Sequence, residues 1–297
     1  MTTAAALADE FQTHRPRLFG LAYRLLGSAD EAEDAVQDAW LRFSGADRAG
    51  IENLGAWLAK VVTNLCLTRL TSARARRETY AGPWLPEPVV TSDGTLGPLE
   101  SAEQRDAVSL AMLVLLERLT PTERAVYVLR EAFGYGHREI AGVLDLSEAN
   151  CRQLYRRAAQ RVAADEPRFA PEPRRREELV ASFLNAAREG DLAGLEKLLA
   201  ADVTWVSDGG GKVSAARRRI EGRDKVLRFL LGVAERYLDG VRFTLAEVNG
   251  SSALLAWDGD RLIGVSSFEL RDGLITEGRT VLNPDKLEFA QRQLGRP

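Results

Sequence analysis

Apolar positions change their period along this chain. From Leu7 to about residue 77 they recur every three or four residues, with Phe11, Leu18, Leu21, Ala22, Leu25 and Leu26 on one face. That spacing predicts an amphipathic helix. Gly27-Ser28 interrupts the run, and Ser28 is placed to cap a second helix. Asp30, Glu31, Glu33 and Asp34 fill its early turns, where the helix dipole favours carboxylates, and it continues through Ala35, Val36, Ala39, Trp40 and Phe43. A third helix is predicted from Leu54 through Trp57, Leu58, Val61, Val62, Leu65 and Leu70. Residues 82–98, GPWLPEPVVTSDGTLGP, hold four prolines and three glycines and predict an extended linker. Its Trp84, Leu85, Val89 and Val90 predict that it docks on another surface.

Helices are predicted again from about 101 to 119. The next one opens on Thr120-Pro121-Thr122-Glu123, a capping box with proline at the first helical position. Gly134-Tyr135-Gly136 then breaks the chain before a two-helix unit at 137–161, and 165–174 form a second joint rich in proline and charge. Beyond 175 the pattern changes. Helices are predicted at 177–188, 191–199 and 223–237, with a strand at 203–206. Period-two alternation follows at 241–248, 253–257, 261–270 and 274–282, joined by Asn249-Gly250, Asp258-Gly259 and Asp272-Gly273. Those dipeptides are strong hairpin signals, and helices followed by a curved antiparallel sheet predict an α+β cone around a pocket.

Composition narrows the reading. A chain of 297 residues suits about two or three domains. The net charge of −3 excludes a generally basic coat, so nucleic-acid contact must come from local patches and free binding to DNA should be weak. Two cysteines, Cys66 and Cys151, and two histidines give neither a disulfide framework nor zinc spacing, and no metal or cofactor is expected. The opening MTTAAALADEF lacks a basic region followed by an apolar run, and the longest apolar run, 108–116, is too short to span a bilayer. A reducing cytoplasm and no membrane association are expected.

The unit HREIAGVLDLSEANCRQLYRRAAQR carries the clearest chemistry. Ile140, Ala141, Leu144, Leu146, Cys151, Leu154 and Ala158 supply a small apolar seam, and Ser147 sits at an N-cap position. The second helix bears Arg152, Arg156, Arg157 and Arg161. Such a helix fits the DNA major groove, its early residues meeting base edges and its arginines phosphates. The plainer alternative is a helical hairpin with a solvated basic face.

Residues 8–165 resemble the extracytoplasmic-function (ECF) class of bacterial RNA polymerase sigma factors, and the third segment resembles a SnoaL-like domain of the NTF2-like cone fold. WLPEP at 84–88, DGGGK at 208–212 and NPDKL at 283–287, in that order, resemble the ECF subgroup with this C-terminal extension. The resemblance implies a multidomain chain: two all-α helical domains followed by an α+β NTF2-like cone. The expected divisions are 7–78 (sigma region 2), 79–104 (linker with WLPEP), 105–166 (sigma region 4 helix-turn-helix) and 175–297 (SnoaL-like domain). It implies no catalytic step. Its partners would be the polymerase core, through the β′ coiled coil and the β flap, and promoter DNA.

Carried over residue by residue, DEAEDAVQDAWL at 30–41 resembles the helix that grips the β′ coiled coil, with Asp34, Gln37, Asp38 and Leu41 as core-binding candidates. WLAKVVTN at 57–64 resembles the −10 segment, where a flipped base must be caught to offset a few kcal/mol of unstacking. Asn64 matches the catching position, and Lys60 and Arg69 would steer strand phosphates. Arg152, Gln153, Arg156 and Arg157 match the −35 face. Two departures stand out: Asp145 occupies a turn position often held by Gly, and Cys151 a usually apolar one.

The fused domain is expected to act in cis. It would pack against both DNA-reading domains in the free state, with Trp84, Leu85, Pro86, Glu87 and Pro88 and Asp208, Gly209, Gly210, Gly211 and Lys212 as docking elements, Lys212 meeting Glu87 or another acid, and Asn283, Pro284, Asp285, Lys286 and Leu287 counted with them as interdomain regulatory residues. The alternative is a domain that binds or turns over a small ligand, isomerase- or cyclase-like, with Asp202, Asp208, Trp205, Trp257 and Phe268 lining its cavity.

Overall fold

The computed structural model describes residues 4–92, 94–96, 107–163 and 173–295. Part of the expected linker (97–104), the start of the helix expected from 101, and most of the joint expected at 165–174 lie outside the described residues. The chain divides into two compact units: Met1–Glu78 with Asp93–Glu166, and Thr79–Ser92 with Pro167–Pro297. Residues 79–92 thus fold with the C-terminal part.

The first unit is helical. Its first head comprises α1 (Ala4–Leu26), α2 (Ala29–Ser44) and α3 (Leu54–Glu78). The break at Gly27-Ser28 is a cap, the Ser28 hydroxyl accepting from the Glu31 N–H at 3.1 Å. The second head comprises α4 (Leu110–Leu116), α5 (Pro121–Glu131), α6 (His137–Leu144) and α7 (Glu148–Ala163). The Thr120–Glu123 capping box closes in both directions, and Ser147 Oγ accepts from the Asn150 N–H at 3.2 Å. Asp145 turns the chain between α6 and α7 in the left-handed conformation, φ 54. Its short polar side chain tolerates that geometry, which is why a glycine is dispensable there.

In the second unit, α8 (Pro173–Glu189), α9 (Leu192–Leu198) and α10 (Arg223–Tyr237) cover a six-stranded sheet. The strands are β1 (Leu199–Asp208), β2 (Ile220–Glu221), β3 (Arg242–Val248), β4 (Ser251–Asp258), β5 (Arg261–Arg271) and β6 (Leu274–Val281), in the order β2-β1-β6-β5-β4-β3. β1 and β6 are parallel and the other pairings antiparallel. The hairpin dipeptides turn as their chemistry demands, with both residues of Asn249-Gly250 and Asp272-Gly273 at positive φ. The chain closes with α11 (Pro284–Gln293), a helix that the period-two reading did not anticipate.

Candidate functional site

On α2, Asp34, Gln37, Asp38 and Leu41 fall at i, i+3, i+4 and i+7 and form one stripe along the helix. Asp34 and Gln37 are exposed, Asp38 is half-buried, and Leu41 keeps 62% of its surface in solvent. The opposite face, Ala32, Ala35, Val36, Ala39 and Phe43, is buried against its neighbours. An acidic stripe ending in an exposed leucine suits a basic, partly apolar partner helix.

Arg69 of α3 reaches across to that stripe. Its guanidinium donates to Asp38 at 2.7 Å and to the Glu31 carbonyl at 2.9 Å, and it stands 3.7 Å from Asp34. Arg69, expected at strand phosphates, here braces α2 against α3, because two carboxylates lie within its reach. Lys60, also expected at phosphates, donates to the Asp145 carboxylate at 2.7 Å and to the Gly142 carbonyl at 2.9 Å. Asn64 is half-buried one turn further along α3, and its carbonyl accepts from the Thr68 hydroxyl. Trp57 packs near Phe43, ring centroids 6.3 Å apart.

On α7, Arg152, Gln153, Arg156 and Arg157 are all exposed, while Cys151, Ala158 and Val162 are buried on the other side. Arg152 pairs with Glu148 one turn earlier. Arg161, in the last turn, is held by Glu123 of α5 at 2.5 Å and leaves the basic face. Burial alone would raise the Glu123 carboxyl, but the Thr120 N–H and hydroxyl and the Arg161 guanidinium outweigh it and hold it below its ordinary value.

In the second unit, residues 79–92 lie as a strap along the sheet end and α11. The centre is Asp208, at the last position of β1, with 0% exposure. Oδ1 accepts from the Tyr80 hydroxyl at 2.6 Å and the Gly210 N–H at 3.1 Å. Oδ2 accepts from the Leu85 N–H at 2.8 Å and from Lys286 Nζ at 2.7 Å. Lys286, itself buried, also donates to the Leu85 carbonyl at 2.6 Å and lies over the rings of Tyr80 and Trp84, 4.7 and 4.2 Å from their centroids. Asn283 donates to the Tyr80 hydroxyl and caps α11. Burial and then the hydrogen bond to Asp208 push the Tyr80 phenol well above its usual range.

The glycines allow this closeness. A Cβ on Gly210 would stand 2.4 Å from the Asn283 amide, and one on Gly211 would stand 2.9 Å from Ala81. Lys212 meets Asp285, at 2.5 Å, so the DGGGK and NPDKL segments clip to each other. Leu85, Pro86 and Pro88 are buried, Trp84 and Glu87 half-buried, and Leu287 is buried opposite. Further along, Val90 bridges to Val248, and Gln293 both accepts from and donates to the Val90 backbone at 2.9 Å. Asn249 Oδ1 accepts from the Val89 N–H, and Glu247 from the Thr91 hydroxyl. Tyr80, Asn249, Glu247 and Gln293 were not anticipated as docking residues. Asn249 read as a turn residue only, and Tyr80 lies just outside WLPEP.

The residues expected to line a cavity do other work. Asp202 is exposed and pairs with Arg271 at 3.0 Å, and Asp208 is spent on the strap. Trp205 and Phe268 pack with Phe183 inside the helix-covered core, centroids 5.2–6.0 Å apart. Trp257 stands outside that cluster and donates to Thr244. Burial raises the Glu269 carboxyl, yet it is ion-paired with Arg279 at 3.2 Å. Among the described residues no group of three or more His, Cys, Asp or Glu could hold a metal ion, and no helix is long and apolar enough to cross a membrane.

Comparison with known proteins follows these divisions. Residues 11–76 match sigma-70 region 2, 109–162 match sigma-70 region 4, and 180–278 match the SnoaL-like domain. The chain is 40% identical to the ECF RNA polymerase sigma factor SigJ of Mycobacterium tuberculosis, over 94% of this chain and 92% of that protein. It is 30% identical to SigI, described as a probable ECF sigma factor of the same organism, over 96% of each. The crystal structure of SigJ superposes with a TM-score of 0.76 at 37% identity, covering 95% of this chain and 99% of that one. With two sigma regions, a SnoaL-like domain and full-length relatives in agreement, the chain belongs to the ECF RNA polymerase sigma factors.

Proposed function

We propose that this chain joins core RNA polymerase through the α2 stripe, reads the −10 element with α3 and the −35 element with α7, and is modulated in cis by its SnoaL-like domain. The observation that carries the reading is the pair of exposed faces. Asp34, Gln37, Asp38 and Leu41 suit a basic coiled coil of the β′ subunit, and Arg152, Gln153, Arg156 and Arg157 suit a major groove. Neither face is large, and a chain of net charge −3 gains little from DNA alone. The polymerase supplies the rest of the affinity, including a site for the second head at the β flap, and this places the protein in the cytoplasm.

Modulation in cis follows from the strap. The first part of the segment that joins the two heads, from Tyr80 to Thr91, is bound by the fused domain, so the domain controls how freely that part moves. The ligand-binding or catalytic alternative is disfavoured. The acid it would use, Asp208, is fully engaged, and Phe183, Trp205 and Phe268 pack on one another in the core.

The test is affinity for purified core polymerase with transcription from a promoter library. The full chain should bind core and direct initiation. Asp38→Ala with Leu41→Ala should weaken core binding about tenfold, ~1.4 kcal/mol, the scale of an interface hot spot. No retention of the full chain by core polymerase would refute the reading.

A further inference from the structure

The turn between α6 and α7 tolerates Asp145 but does not require its carboxylate. The turn holds it at φ 54 and ψ 45, a conformation glycine adopts without cost. Its N–H bonds back to the Ala141 carbonyl and the Leu146 N–H does the same, so the backbone closes the turn by itself. The carboxylate points out, its side chain 75% exposed, and accepts from Lys60 Nζ on α3 of the first head. The same ammonium donates to the Gly142 carbonyl, one of the carbonyls an α-helix leaves open at its C-terminal end. Lys60 thus binds the negative end of α6 at two points.

The rest of the packing between the heads is rich in cations. Arg124 is buried and donates from Nε to the Arg24 carbonyl at 3.1 Å, while its Nη2 finds no partner among the described residues. Arg24 and Arg17 lie over the Phe133 ring, and Arg17 also over Tyr135. Beside it, Gly20 packs so closely on the Leu96 carbonyl of the connecting segment that a Cβ would stand 2.7 Å from it. A buried guanidinium with an unmet donor weakens such packing, so small exposed contacts can decide whether it holds.

We propose that Lys60 and Asp145 form a latch that keeps the two heads closed in the free chain, with Asp145 standing in for the phosphate that Lys60 meets on an open promoter strand. DNA then opens the latch by competing for one ammonium. The inference rests on the reading of Lys60 as a −10 contact, and it gives a reason for a carboxylate at a glycine position.

The substitutions that test it leave the turn intact, since Asn tolerates the left-handed region and Gly prefers it. Dyes placed on the full chain at Ser44→Cys and Gln160→Cys, both exposed, report the distance between heads by energy transfer, with Cys66 and Cys151 buried and unlabelled. Asp145→Asn and Asp145→Gly should each lower the closed-to-open ratio about twofold to fivefold, the range of an exposed ion pair. In a Lys60→Gln background neither should change it further. Affinity of the full chain for a single-stranded −10 oligonucleotide should rise with Asp145→Asn only when Lys60 is present. Unchanged energy transfer, or an equal rise in DNA affinity in the Lys60→Gln background, would overturn the latch, the latter showing a general charge effect. The distance measurement needs no polymerase, so a chain that fails to bind core would sink the sigma-factor reading without bearing on the distances.

Discussion

Asp208 concentrates the chemistry of the strap into one carboxylate. It takes four hydrogen bonds, two of them from the strap itself at Tyr80 and Leu85, and it neutralises the buried Lys286. Removing one member of a buried pair leaves an uncompensated charge, which costs about 3–5 kcal/mol. Asp208→Asn is therefore expected to destabilise the second unit by about that amount in urea unfolding, and Asp208→Asn with Lys286→Met by clearly less. DGGGK was legible as a close-approach segment from its glycines. The role of Lys286 was not, because lysine is seldom buried and nothing in its neighbours announces a distant carboxylate. Tyr80 was illegible for a similar reason: a single aromatic after a helix end has no period. The same limit explains Arg69 and Lys60, whose charge was evident but whose direction depends on acids 31 and 85 positions away.

Helix starts were the most legible elements, because a cap is local. Ser28, Thr120 and Ser147 all accept from the backbone N–H three residues on. Asn283-Pro284 carried the same signature for α11, cap and first-turn proline, but was weighed only as a docking motif. β1 outran its expected length because its partner is β6, about seventy residues later, and parallel pairing at that range leaves no local mark. At this scale, Thr120→Ala should cost about 0.5–2 kcal/mol in thermal unfolding of the first unit. The Glu123 carboxyl sits below its ordinary value of 4.5, so its contribution is present above that pH and is lost as pH falls through the lowered value. Acid titration of the first unit should show this loss below about pH 4.5 and a smaller one in Thr120→Ala; equal pH profiles would contradict it.

At the scale of the whole chain, the second head is an insertion. Thr79–Ser92 belongs with Pro167–Pro297, and Asp93–Glu166 is looped out between them. Cutting the chain before the SnoaL-like domain therefore strips the cover from Leu85, Val89 and Val90 as well as removing that domain. A chain ending at residue 174 should self-associate in light scattering, and Leu85→Ser, Val89→Ser and Val90→Ser in that shortened chain should restore a monomer. Promoter output should be compared on the second form, where aggregation no longer masks a regulatory change.

That looped-out order also has a consequence in time. Leu85 and Lys286, whose contact closes the strap, are separated by 201 residues. At a synthesis rate of about 5–20 residues per second, roughly 10–40 s pass between their appearance at the ribosome. The second head is complete only at Ala163, 123 residues before Lys286, so for roughly the last 6–25 s of that interval a nascent molecule owns both heads but not yet the lysine that closes the strap, and each newly made copy has a brief unsupervised youth.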